Sequence, residues 1–75
     1  MKNITIGEFL TDHEIEQASH LYLTAQPGTF ARLVDEQIIT PNIERINQAL
    51  GQENDARYLA YAVEFAFTKA TYRLN

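Results

Sequence analysis

An all-α fold is predicted for this 75-residue chain by three features. Apolar residues recur at helical spacing through most of its length, capping residues precede each run, and breaks fall at Pro27-Gly28, Thr40-Pro41 and Gly51. The expected architecture is a compact four-helix domain with a short N-terminal arm and a long central C-terminal helix. Helices are expected at about residues 12–25, 30–39, 41–50 and 55–73. No repeat, low-complexity tract or linker interrupts residues 1–75, so a single domain is expected.

In the arm, Ile4 and Ile6 alternate with polar residues, and Phe9 and Leu10 follow Gly7. An ordered arm packed by Ile4, Ile6 and Phe9 is expected. The alternative is a single helical turn with Thr5 and Glu8 as its cap pair. The first helix starts after Thr11, because Thr11-Asp12-His13-Glu14 has the spacing of a capping box, in which side chain and backbone satisfy each other's orphan groups. Ile15, Ala18, Leu21, Tyr22 and Ala25 then share a face, with Leu23 outside it. Gln26-Pro27-Gly28 stops the helix, since proline can neither donate nor continue the ladder.

Thr29 is the expected cap of the second helix, whose Phe30, Leu33, Val34 and Ile38 lie opposite Arg32, Asp35 and Glu36. Thr40-Pro41 restarts the chain, with threonine as cap and proline at the first helical position, where its missing N–H costs nothing. Ile43, Ile46 and Leu50 form the third stripe. Gly51 ends it in the left-handed conformation open to glycine.

Asn54 is the expected cap of the fourth helix, with Glu53 and Asp55 at its positive end and Lys69 and Arg73 near its negative end. At about 100° per residue, Leu59, Ala62, Val63, Ala66, Phe67, Ala70 and Leu74 form one stripe. Tyr58, Tyr61, Phe65 and Tyr72 form a second. Together they span roughly 240°, well beyond the arc of about 100° that an ordinary surface helix buries. Such a helix is expected to be buried on two sides, which a chain this short achieves by packing against another chain. The aromatic stripe is therefore read as the interface, against the alternatives of ordinary core, a docking surface for a different protein, and a platform for stacked bases. Base stacking wants interleaved cations, and Lys69 alone is too few.

Composition narrows the function classes. Hydrophobic residues make up 45% and charged residues 21% of the chain, a globular balance rather than a disordered one. A single core of this size rarely supplies more than about 3 to 5 kcal/mol. With no cysteine, disulfides are excluded, and the remaining staple is idealised helix packing or oligomerisation. A two-fold homodimer is expected. The N-terminus lacks the apolar run of a secretory signal, and no segment approaches a membrane span, so a cytoplasmic protein is expected. The net charge of −4 arises mainly in residues 3–31, where Glu8, Asp12, Glu14 and Glu16 meet no lysine or arginine. This argues against polyanionic partners and suits a basic protein at the first helix.

Candidate chemistry is sparse, and neither catalytic residues nor a cofactor are expected. His13, Glu16 and His20 lie on one side of the first helix, with Glu16 and His20 at a spacing that reaches one divalent ion. One helix supplies at most three ligands, no further histidine exists, and Asp12, Gln17 and Thr24 make the same face a plain solvated one. The lone serine, Ser19, adjoins His20, but sequence neighbours on a helix do not face each other. The glycines are too dispersed for a phosphate loop. Glu64, deep in the fourth helix, is expected on a solvent-facing strip with Thr68 and Thr71. Residues 30–50 have the layout of a helix-turn-helix, yet the turn lacks glycine. The would-be reading helix exposes Asn42, Glu44, Arg45, Asn47 and Gln48, with one cation for phosphate contacts. The expectation is a non-enzymatic interaction module. A small DNA-binding regulator and a metal or small-ligand binder are its competitors.

Overall fold

The computed structural model describes residues 5–26 and 28–74, with side chains described through residue 70. All regular structure among the described residues is helical. A 3-10 turn at Ile6–Glu8 leads into α1 (Asp12–Thr24). Then follow α2 (Phe30–Val34), a π turn at Asp35–Ile39, a 3-10 turn at Thr40–Asn42, α3 (Ile43–Leu50) and α4 (Ala56–Leu74). From Phe30 to Leu50 the segments abut, so the chain forms three helical bodies and a leading 3-10 turn rather than four separate helices. Among the described residues, no helix is long and apolar enough to cross a membrane.

The arm is the turn that was the alternative reading. The Glu8 carboxylate accepts from the Thr5 backbone N–H at 2.9 Å, which tightens residues 5–8 into a 3-10 turn and drives Phe9 and Leu10 inward. Both are buried, and Ile6 packs beside them. Ile4 lies outside the described residues. The capping box of α1 forms as expected, with Glu14 N–H donating to Thr11 Oγ1 at 3.2 Å and Thr11 N–H donating to Glu14 Oε1 at 2.9 Å. Ala18 is fully buried on the inner face of α1, flanked by half-buried Ile15, Leu21 and Tyr22. The chain leaves the helix at Ala25, whose backbone is extended. Pro27, the expected stop, is outside the described residues.

Three caps differ from expectation. Thr29 stands at the expected N-cap position of α2 but has helical dihedrals and makes no side-chain cap bond; its hydroxyl donates to the Gln26 carbonyl at 2.7 Å and closes the turn before α2. Thr40 is likewise helical, and its hydroxyl donates to Asp35 Oδ1 at 2.6 Å. The helical path therefore continues through Pro41. Because proline has no N–H, the ladder adjusts on both sides of it. Upstream it widens to a π turn, in which the Thr40 N–H reaches back to Asp35. Downstream, the Asn42 carboxamide donates to the Ile38 carbonyl at 2.8 Å, the acceptor its own N–H would take in an uninterrupted α-helix.

At α4 the cap is Asp55, not Asn54. Its Oδ1 accepts from the Arg57 N–H at 2.8 Å, while Asn54 N–H is held by Asn47 Oδ1 at 2.8 Å. A side chain on α3 thus fastens the connection and moves the cap one residue on. Gly51 behaves as expected. It ends α3 at φ 75°, and its N–H and that of Gln52 both donate to the Asn47 carbonyl.

The core joins these pieces through Phe9, Val34, Ile38, Ile39, Ile46, Leu59 and Val63, each at most 1% exposed. At one end, Tyr22, Phe30 and Phe67 close it as an aromatic triad. Ring centroids are 5.1 to 5.6 Å apart, and the Tyr22–Phe30 and Phe30–Phe67 pairs meet edge to face. At the other, the Arg45 guanidinium holds both oxygens of Glu14, at 2.6 and 2.7 Å, across a sequence separation of 31 residues. The Glu14 side chain is only 12% exposed, so this pair is worth more than an ordinary surface ion pair. Arg45→Met is expected to cost about 1 to 2 kcal/mol in urea unfolding. An unchanged midpoint would show the pair to be energetically idle.

Candidate protein interface

The two stripes of α4 have different fates. Leu59 and Val63 of the first are buried, joined by Ala60, while Ala62, Ala66 and Phe67 are half-buried. Ala70, at the helix end, is exposed. On the far side, Tyr58 and Tyr61 are each 56% exposed and Phe65 is 68% exposed. They are therefore not core. Tyr72 and Leu74 lie outside the described side chains. The physical reason is directional: among the described residues, α2, the π turn and the leading 3-10 turn are the elements packed most against α4, and they bury the Leu59–Val63 side of it. The Lys69 ammonium lies 6.0 Å from the Phe65 ring centroid, at the outer limit of a cation–π contact.

Ala60 was absent from the expected apolar stripe, and its burial rotates the buried arc toward Glu64. Glu64 is accordingly half-buried rather than solvent-facing, on the rim of a groove between α2 and α4 with Arg57 and Tyr61. The signal available in the sequence was the small residue one turn before Glu64, since alanine lets a neighbouring helix approach closely.

On α1, His13, Glu16 and His20 line one shallow depression with Gln17 and Leu23, opposite Gln37. All three are exposed. Among the described residues, no three histidine, aspartate or glutamate side chains are gathered as metal ligands. Ser19 is half-buried and His20 exposed, so they face different surroundings. The acidic face is thinner than its composition suggests. Glu8, although exposed, is engaged by the Thr5 N–H and Glu14 by Arg45, which leaves Asp12 and Glu16 as the exposed acids outside those contacts.

Arg45 was the one cation on the would-be DNA-reading helix, and it is spent on Glu14. Between α2 and α3 the chain passes through the π turn and the 3-10 turn and breaks from helical dihedrals at Asn42, φ −121° and ψ 18°, with no extended turn between the two helices. Searches against protein-family models, curated proteins and solved structures find no match to the chain.

Proposed function

We propose that this protein is a non-enzymatic protein–protein interaction module that works as a two-fold homodimer in the cytoplasm, with the outer face of α4 as its seam. The observation that carries the reading is the exposure of Tyr58, Tyr61 and Phe65 together on the side of α4 opposite the core. Contiguous apolar surface of this kind marks interaction sites. Tyrosine suits an interface, because its ring is buried while its hydroxyl stays hydrated or paired at the edge. A core this small also gains most from a second copy. Sedimentation of the parent protein at ~100 μM, well above a micromolar dissociation constant, is expected to show a dimer. A monomer at that concentration refutes the seam.

In the same reading, Asp12 and Glu16 on α1 form the docking rim for a basic partner. Charged rims act mainly through encounter rate. Replacing both with lysine is expected to slow association of a lysine-rich peptide roughly tenfold at low salt. An unchanged rate would leave α1 as a solvated helix face.

A further inference from the structure

The outer face of α4 also indicates how its occupant is oriented. We infer that a second copy of this chain seats its own α4 there antiparallel, in the register that sets Tyr58 of one chain against Phe65 of its partner. This deepens the homodimer reading and rests on it.

The inference comes from the two ends of the helix. The N-terminal end carries Glu53 and the capping Asp55, both exposed. The C-terminal end carries Lys69, which is exposed and joins no ion pair among the described residues. Stepping about 100° per residue, Asp55 and Lys69 fall on the same flank of the aromatic stripe. In an antiparallel pair related by a two-fold axis, the same flank of both helices meets, and residues near one end meet residues near the other. The register that opposes Tyr58 and Phe65 places Lys69 against the partner's Asn54, within one residue of both Glu53 and Asp55. One alignment therefore satisfies the aromatic contacts and the charges together, twice by symmetry.

Asp55 can serve both purposes, because its Oδ1 accepts the Arg57 N–H and its second oxygen remains for the partner's lysine. Arg57, the cation nearest the acidic end, falls on the opposite flank with Glu64 and does not compete for Lys69's place. Antiparallel packing also brings the positive end of each helix macrodipole to the negative end of the other. A parallel pair would instead gather both acidic ends at one side and both lysines at the other.

The chain has no cysteine, so single cysteines report the orientation directly. Tyr58→Cys and Phe65→Cys occupy exposed positions, and circular dichroism is expected to show both variants folded. Under mild oxidation, a mixture of the two is expected to form the mixed disulfide about tenfold more than either forms its own, because only opposed positions bring Cα atoms within about 7 Å. Tyr61→Cys, near the two-fold axis, links in either orientation and reports that the face is the seam. If Tyr58→Cys and Phe65→Cys each link to themselves and not to each other, the helices are parallel: the inference falls and the dimer stands. A dimer in which Tyr61→Cys does not link has its seam elsewhere, which also overturns the inference. A parent that sediments as a monomer removes both readings. As a second measurement, Asp55→Asn keeps the cap acceptor and loses the charge, and is expected to raise the dimer Kd about threefold at low salt. An unchanged Kd overturns the charge pairing.

Discussion

Phe65→Glu is expected to yield a folded monomer. The side chain is 68% exposed in the single chain, so a glutamate there meets water in the monomer and breaks no internal contact. At a two-fold seam the same change places two carboxylates, one from each copy, where aromatic rings should meet, and Lys69, one turn on, partners each only by leaving the acids it faces across the seam. Desolvating the two carboxylates costs several kcal/mol, and both costs fall on one association step. The dimer Kd is expected to rise at least about a thousandfold, with helical circular dichroism nearly unchanged. The exposure of Phe65 gives this result its meaning. Had the ring been core, the same substitution would have unfolded the chain. A Phe65→Glu variant that remains a dimer would move the seam away from α4.

Ile39→Ala should have the largest effect on stability. Ile39 is fully buried, and the π turn at Asp35–Ile39 is what carries it inward. Truncating a buried isoleucine to alanine costs about 2 to 5 kcal/mol, through lost burial and the cavity left behind. That is comparable to everything a core of this size is expected to supply. The variant is expected to be largely unfolded at 37 °C by circular dichroism, whereas Ile39→Val should lose only about 1 kcal/mol. A thermal midpoint for Ile39→Ala within a few degrees of the parent would mean that the π turn does not hold its side chain in the core.

These two positions show where the sequence is legible and where it is not. Phe65 belongs to an aromatic stripe evident from spacing alone, although spacing cannot tell seam from core. Ile39 was invisible to helical periodicity, because an undistorted α-helix turns residue 39 well away from the Val34 and Ile38 face. Only the wider turn before Pro41 brings both isoleucines to the core. His13, Glu16 and His20 line one depression, a placement that three positions on a single helix reach without tertiary information. That Glu14 leaves the acidic face could not be read, because its partner Arg45 lies 31 residues away.

What the sequence determined by itself is local: the helical character of the chain, the Thr11–Glu14 capping box, the glycine stop at Gly51 and the two stripes of α4. Each depends on residues within a turn or two of one another, where spacing dictates geometry. The tertiary structure decided which stripe of α4 is core, that the α4 cap is Asp55 because Asn47 holds Asn54, and that Glu64 sits at a groove. Each of those outcomes depends on the direction from which another segment approaches, and a helical wheel assigns angles to residues without saying where their neighbours will be.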